Sequence, residues 1–186
     1  MKYILITILS LVIYACKNNE PKYFESIIDN NEINSVFLKQ TDEAEKALIS
    51  GYLYAYGNEC GLYSNTLKCQ VLKELNILNE CDTNHIKFLN KWFKNDIVMF
   101  YKLKNCPYLP LHSAIQNEIK HMSIYRNNDT IRINILVYGL NNSEEKNWNT
   151  EQTDTYLIDK NTLIKIETKT SSNSLKSNCL GCLKPK

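Results

Sequence analysis

The sequence lacks an excess of charge of either sign. Its 186 residues include 22 lysines and arginines and 20 aspartates and glutamates, which gives a formal net charge of +2. Proteins that bind nucleic acid or anionic lipid headgroups through their overall charge carry a clear basic excess. The near balance therefore argues against binding of nucleic acid or anionic lipid through the overall charge. Attachment to a membrane would then have to be covalent.

The sequence also lacks the short motifs of the commonest enzyme classes. It contains no nucleophile elbow, phosphate-binding loop, zinc-protease helix or calcium loop, each of which places reactive groups at a fixed spacing. Carboxylates are plentiful, but no pair of them stands out. The sequence therefore favours a protein that is not an enzyme, and we predict no cofactor and no metal.

One long apolar run is present, and it lies at the N-terminus. Lys2 is followed by residues 3–15, all apolar or small, and the chain turns polar directly after Cys16. A positively charged N-terminus, a short apolar core and a small residue before the cleavage site are typical of a secretory signal. This core is too short to span a bilayer as a permanent helix. We predict that residues 1–15 are a signal peptide.

The four residues ending at Cys16, Ile-Tyr-Ala-Cys, resemble the lipobox of bacterial lipoproteins. The resemblance covers residues 1–16 and implies that cleavage leaves Cys16 as an acylated, palmitate-bearing first residue, with residues 16–22 as a lipidated tether. The family's best-known inner-membrane retention signal is an aspartate after the cysteine, whereas Lys17 follows here. The resemblance thus implies a cell-envelope protein anchored to the outer membrane, with its periplasmic or outer orientation open.

If Cys16 carries the lipid, six cysteines remain, an even number that suits disulfides in an oxidising compartment. They are Cys60, Cys69, Cys81, Cys106, Cys179 and Cys182. Six cysteines allow fifteen pairings. Proximity along the chain predicts that the first four form disulfides within the helical half and that the last two form a disulfide with each other.

Cys179 and Cys182 form a short motif with redox or metal potential. Redox-active pairs of this spacing open a helix within a βαβ unit, but this pair lies in a polar tail, residues 171–186, with no histidine nearby. A small structural disulfide is therefore favoured over a metal site. A free or intermolecular pair is the other alternative.

Removal of the signal leaves 171 residues, enough for one domain, which we predict over residues 23–170. Its first half shows helical spacing. The predicted helices are a short one after Pro21, then 41–56 with Thr41 as N-cap, 67–78, and a segment capped by Asp82. The alternating tyrosines within 52–56 would also suit a strand, and 97–103 fits either a buried strand or a helix.

After Pro110 apolar residues recur at every second position, as in β-strands, and polar turns separate the alternating segments. This pattern predicts two hairpins. The first turns at residues 127–129. The second has a three-residue loop, 159–161, and follows a loop over 141–152. In the first hairpin, parity places six residues on one core face: Met122, Ile124, Ile131, Ile133, Ile135 and Val137.

Helices followed by antiparallel strands predict an α+β domain. We expect N-terminal helices packed on one face of an approximately four-stranded antiparallel meander sheet. This order is loosely similar to the NTF2-like and cystatin-like folds. The similarity is an analogy at the level of the fold and carries no function by itself.

The face of the first hairpin opposite the core holds the candidate binding residues. By parity it includes Ile119 and Ser123 together with His121, Tyr125, Arg132, Asn134 and Tyr138. Such a surface could recognise a partner or form the wall of a pocket, or it could be an ordinary solvated face. Of the other histidines, we expect His85 to be half-buried and hydrogen-bonded to backbone, and His112 to face solvent.

Two functional hypotheses follow. The first is a lipid-anchored binding or interaction protein of the cell envelope, which engages a protein partner through the sheet face or the tyrosine-rich helix; an immunity-type inhibitor of a toxin is one form. The second is a small pocketed α+β domain that binds or turns over a small molecule between the helices and the sheet, using His121, Arg132 or Tyr138.

Overall fold

The computed structural model of the protein describes residues 22–60, 65–77, 81–104 and 113–175. Within these ranges the chain forms an α+β domain with one six-stranded antiparallel sheet and five helices. The α+β class was predicted, but the sheet has six strands rather than about four. None of the described helices is long and apolar enough to cross a membrane.

The strands occur in the sheet in the order β2-β1-β3-β4-β5-β6, with every neighbouring pair antiparallel. They are β1 (Tyr23–Asp29), β2 (Glu32–Ile33), β3 (Ile115–Asn127), β4 (Thr130–Asn141), β5 (Lys146–Asp159) and β6 (Thr162–Leu175). All five helices lie between β2 and β3 in the chain. β5 begins inside the predicted loop over 141–152, and β6 extends into the predicted tail from residue 171.

Strand β1 occupies the segment that was predicted to be a short helix. Its apolar residues fit a helical stripe, but a bulge gives a strand the same spacing. The register against β3 shifts between Ser26 and Ile28, and Ile27 and Ile28 are both fully buried. Pairing with β3 therefore decides the conformation over local propensity.

The helices are α1 (Ser35–Leu38), α2 (Glu43–Tyr56), α3 (Leu67–Glu74), α4 (Thr83–Trp92) and α5 (Ile97–Lys104). The tyrosine-rich segment is thus helical, and so is the apolar run at 97–103, for which the sequence left a strand open. Tyr52 and Tyr54 are buried, so the tyrosine-rich helix offers little surface to a partner.

Side-chain caps mark the start of α2, α3 and α4. The N-cap of α2 is Asp42 rather than Thr41: Asp42 accepts from the backbone N–H of Glu45 at 2.8 Å, and Glu45 accepts from the backbone N–H of Asp42 at 3.0 Å. This reciprocal capping box satisfies two otherwise unpaired donors. Thr66 caps α3, and Asp82 caps α4 as predicted.

The core face of the sheet is the predicted one. Met122 pairs with Ile135, and Ile124 pairs with Ile133. All four side chains are fully buried, in the same apolar cluster as residues of the helices. The period-two pattern of the first hairpin therefore identified the face that packs against the helices.

Ile119 was predicted to lie on the face opposite the core, but it lies on the core face. The register of β3 against β4 shifts between Ile119 and His121, which leaves Lys120 as an extra residue. A bulge of this kind reverses the parity of the residues before it. Ile119 consequently pairs with Val137 and is only 3% exposed.

The second hairpin turns one residue more tightly than predicted. Asp159 pairs with Thr162, so the loop is residues 160–161 rather than three residues. Because the loop is shorter, Tyr156 pairs with Lys165 and not with Ile164, which a three-residue loop would place opposite it. This register brings a lysine to the core face beside a buried tyrosine.

Cys60 and Cys69 form a disulfide, with their Cα atoms 5.7 Å apart, which joins the connection after α2 to the first turn of α3. The predicted staple in the helical half is confirmed for this pair. Cys81 is disulfide-bonded as well. Four cysteines lie outside the described residues: Cys16, Cys106, Cys179 and Cys182.

Candidate functional site

The register of the sheet places the predicted binding residues on the side opposite the core, called here the outer face. Tyr125 pairs with Arg132, and Ser123 pairs with Asn134. Since β-strand side chains alternate between faces, the outer face carries all five predicted residues: His121, Tyr125, Arg132, Asn134 and Tyr138. These residues come from β3 and β4, near the middle of the sheet.

A row of directly paired residues crosses the outer face on five strands. The row consists of Phe24, Tyr125, Arg132, Thr155 and Glu167. The guanidinium carbon of Arg132 lies 5.7 Å from the centre of the Tyr125 ring, and the Phe24 side chain is 63% exposed. Aromatic and arginine side chains grouped in this way are enriched in protein–protein interfaces.

His121 and Asn134 lie further along the same face. The His121 ring nitrogens are each 3.2 Å from an oxygen, Nδ1 from Asp29 Oδ1 and Nε2 from Ser123 Oγ. Asn134 Nδ2 donates to Glu151 at 3.4 Å, whereas Asn134 Oδ1 is buried and has no hydrogen-bond partner among the described residues. A buried acceptor without a donor is unfavourable, so the Asn134 amide is only partly satisfied in its hydrogen bonding.

Tyr138 lines a cavity that the other four predicted residues do not reach. The cavity measures about 240 Å³ and lies where the start of α3 meets β3 and β4. Its polar lining includes Lys68, Asn58 and Glu118. Lys68 is only 5% exposed, and its ammonium group donates to the Asn58 carbonyl at 2.5 Å.

A cluster of polar side chains lies inside the core, where the alternation pattern predicts apolar residues. It consists of Tyr52, Asp96, Asp154, Tyr156 and Lys165, and is called here the buried cluster. Lys165 Nζ is 2.9 Å from Asp96 Oδ2 and 3.1 Å from Asp154 Oδ2. The Tyr156 hydroxyl donates to Asp96 at 2.8 Å, and the Tyr52 hydroxyl donates to Asp154.

Further hydrogen bonds complete the shell of both carboxylates. Asp154, which is fully buried, accepts from Thr168 and from Gln152, each at 2.6 Å. Asp96 Oδ1 accepts from the backbone N–H of Met99 at 3.1 Å and so caps α5. The buried cluster therefore ties α2, the start of α5, β5 and β6 together through satisfied polar contacts.

The pKa shifts show which members of the cluster are charged. Burial alone would raise the pKa of Asp154, but hydrogen bonds from Thr168 and Tyr52 and the charge of Lys165 outweigh it and lower that pKa. Burial alone would lower the pKa of Lys165, but its two carboxylate partners raise it. Burial raises the pKa of Tyr52 and of Tyr156.

Asp154 is therefore ionised, Lys165 protonated and both tyrosines neutral around pH 7. A general acid or base works best with a pKa near the operating pH, and these shifts lead away from it. The arrangement suits a charge-compensated structural tie rather than proton transfer.

His85 is half-buried, as predicted, but between aromatic rings. Its ring centre lies 5.4 Å from that of Tyr54 and 5.7 Å from that of Phe88. Its Nε2 atom is buried with no hydrogen-bond partner among the described residues. Burial, with added repulsion from Lys46, lowers the pKa of His85 to about 4.

We expect the protein to lose stability as the pH falls from 7.5 to 5, in part because of His85. The unfolded chain binds a proton near pH 6.5, whereas the folded chain resists protonation until about pH 4. After allowance for solvent screening of a half-buried ring, this difference amounts to about 1 kcal/mol at pH 5. Urea unfolding at both pH values should show that His85→Phe removes this part of the loss. An equal loss in the variant and in the wild type would contradict the expectation.

Among the described residues, no group of three or more histidine, cysteine, aspartate or glutamate side chains is arranged to hold a metal ion. His112 lies outside the described residues. No family model, curated protein or solved structure matches the chain.

Proposed function

We propose that this chain is a lipid-anchored protein of the cell envelope that binds a protein partner through the outer face of its sheet. An inhibitor of the immunity type, which neutralises a toxin at the membrane, is one form of this function. The observation that carries the proposal is the row of five paired residues across the outer face, from Phe24 to Glu167. Aromatic and arginine side chains at its centre are the usual anchors of a protein interface.

The position of the helices supports the same surface. The helices pack on the core face, where their buried residues join those of β3 and β4 in one cluster, and the outer face keeps Phe24 63% and Leu157 39% exposed. The tyrosine-rich helix, the other surface that the sequence offered, is buried. Of the two candidate surfaces, the outer face is therefore the better supported.

The anchor is supported by the sequence alone, because Cys16 lies outside the described residues. The signal pattern and the lipobox resemblance favour acylation at Cys16. Lys17 favours the outer membrane, and the Cys60–Cys69 disulfide is consistent with an oxidising compartment. Binding of a partner in this way requires neither catalysis nor a cofactor.

Substitution on the outer face should abolish partner binding without unfolding the domain. We expect a pull-down from solubilised envelope membranes to recover a stoichiometric partner with the wild type. Arg132→Glu combined with Tyr125→Ser should reduce recovery about thirtyfold, because truncating an interface anchor costs about 2 kcal/mol or more. Lys146→Glu, at an exposed site away from the outer face, should bind as the wild type does. No partner, or equal recovery with both variants, would contradict the proposal.

A second candidate function rests on the cavity beside Tyr138. The sequence predicted a pocket that uses His121, Arg132 or Tyr138, but His121 and Arg132 do not line the cavity. The remaining form is binding of a small carboxylic acid by Lys68, which lines the cavity and is only 5% exposed as a residue. Titration with short-chain carboxylates, followed by NMR of the backbone amides of residues 66–68, tests it. Unchanged amide shifts would rule it out.

A further inference from the structure

Helix α5 exposes three large apolar side chains along one stripe. Ile97 is 70% exposed, Val98 62% and Tyr101 67%. Met99 and Leu103, on the other side of the helix, are fully buried. The three exposed residues, called here the α5 patch, are contiguous because residues three and four apart are neighbours on a helix surface, and Tyr101 lies three residues after Val98 and four after Ile97. Contiguous exposed apolar side chains mark interaction sites more often than scattered ones do.

The segment of the chain that carries the α5 patch is basic, although the chain as a whole is nearly neutral. Residues 83–104 include a single acidic residue, Asp96, which is buried and paired with Lys165. The same segment carries five exposed lysines: Lys87, Lys91, Lys94, Lys102 and Lys104. Apolar side chains flanked by lysines are typical of elements that lie on an anionic membrane surface.

The chain enters the domain at the end of the sheet where α5 begins. β1 starts at Tyr23, beside the turn between β3 and β4. The turn between β5 and β6 adjoins that turn, because Ile158 N–H donates to the Asp129 carbonyl at 2.7 Å. Asn95, just before α5, donates to Thr162 at this second turn, at 3.3 Å. The N-terminal entry and the α5 patch therefore share one end of the sheet.

The length of chain before β1 limits how far this end can lie from a lipid on Cys16. Residues 17–22 separate Cys16 from β1, and six residues span at most about 20 Å. β1 and β6 are four strand spacings apart in the sheet, which is about 19 Å. A lipid on Cys16 would therefore hold this end of the sheet, with the α5 patch, within reach of the bilayer surface.

We propose that the α5 patch docks onto the anionic phospholipid surface to which the chain is tethered. Ile97, Val98 and Tyr101 enter the interfacial region, and the flanking lysines contact lipid phosphates. This inference rests on the lipid anchor of the proposed function. Docking would set the strands upright on the membrane and leave the outer face open to a partner.

The test uses the full chain, extracted in detergent and reconstituted into vesicles of phosphatidylcholine alone or mixed equally with phosphatidylglycerol. Val98→Trp places a fluorescent reporter in the α5 patch, and Tyr101→Trp provides a second one at another exposed site. Ser143→Trp, in the exposed turn between β4 and β5 at the other end of the sheet, is the matched control. Wild-type emission, from Trp92 and Trp148, gives the background.

With acyl chains brominated near the headgroup, the emission of both patch reporters should fall about twofold in the mixed vesicles, because interfacial side chains reach the upper acyl region. The control reporter should be unaffected. Lys94→Glu combined with Lys104→Glu should reverse most of the quenching in anionic vesicles, since their charge attracts the headgroups.

The outcomes separate the docking from the anchor. If the protein floats with the vesicles but the patch reporters behave as the control does, the docking is wrong and the anchor stands. If the patch reporters become shielded in native membranes but not in vesicles of pure lipid, the α5 patch contacts a protein partner. This outcome would overturn the docking onto lipid. If the protein does not float with the vesicles, the anchor and the docking both fail.

Discussion

Replacing Lys165 by methionine is expected to lower the free energy of unfolding by about 3 to 5 kcal/mol at pH 7. Among the described residues, Lys165 is the cation that contacts both carboxylates of the buried cluster, Asp96 at 2.9 Å and Asp154 at 3.1 Å. Its removal leaves two negative charges in a site where they are 5% and 0% exposed. Breaking a buried ion pair from one side costs far more than the pair contributes when intact.

Lys169→Met is the matched control for this prediction. Lys169 lies on the same strand and pairs with Glu167 at 3.0 Å, but its side chain is 71% exposed. An exposed pair of this kind contributes about 0 to 1 kcal/mol. Urea unfolding followed by circular dichroism should therefore separate the two variants clearly. A loss below about 1 kcal/mol in Lys165→Met would contradict the charge balance described for the cluster.

The dependence on pH and a double substitution make the test more specific. Because the pKa of Asp154 is lowered in the folded protein, its contribution is present above the unfolded pKa of about 3.9 and is lost as the pH falls through the folded value. The difference between wild type and Lys165→Met should therefore shrink below about pH 4. Adding Asp96→Asn to Lys165→Met should restore part of the lost stability at pH 7, since one buried charge is then removed.

The second large effect concerns the anchor. Cys16→Ala is expected to abolish labelling of the protein by an alkyne analogue of palmitate in growing cells, because the lipobox resemblance makes Cys16 the acceptor. Cys69→Ser is the control: it removes a cysteine of the helical half, one that forms a disulfide, and should keep the label. Equal labelling of the Cys16→Ala variant and the wild type would mean that another residue carries the acyl group or that the protein is not acylated.

The buried cluster also bears on the membrane contact. Asp96 caps α5 and is held by Tyr156 and Lys165. The start of α5 is therefore fixed to the sheet by the same charges that Lys165→Met would unbalance. A stable cluster keeps Ile97 and Val98 at the end of the sheet where the tether enters.

The parts of the fold that depend on a regular period could be predicted from the sequence. The core face of β3 and β4 followed from alternation, and the start of α4 followed from Asp82 before an amphipathic stripe. Both signals are local, because a strand alternates its faces and an N-cap acts within one turn. Both signals can therefore be recognised from a short segment, without knowledge of the rest of the chain.

The parts that depend on an interruption of the period could not be predicted. One extra residue at Lys120 moved Ile119 to the core face, and a bulge after Ser26 made a strand look like a helix. A bulge is set by pairing with a neighbouring strand. The sequence of one strand carries no clear sign of it.

The buried cluster was missed for a related reason. The hydrogen bond from Tyr52 to Asp154 joins residues 102 positions apart, and Asp154 reads as an exposed residue in a polar stretch. Its place in the core follows from the register of β5 against β4, in which Asp154 pairs with the fully buried Ile133. An aspartate at a core-facing position of a strand is a signal that only a correct register reveals.

The most direct test of the lipid anchor is the mass of the N-terminal peptide of the native protein, purified from membranes in detergent. We expect the chain to begin at Cys16 and this residue to carry the added mass of acyl groups. A chain that begins at Met1, or an unmodified Cys16, would contradict the anchor and, with it, the envelope location and the docking of α5 onto the bilayer.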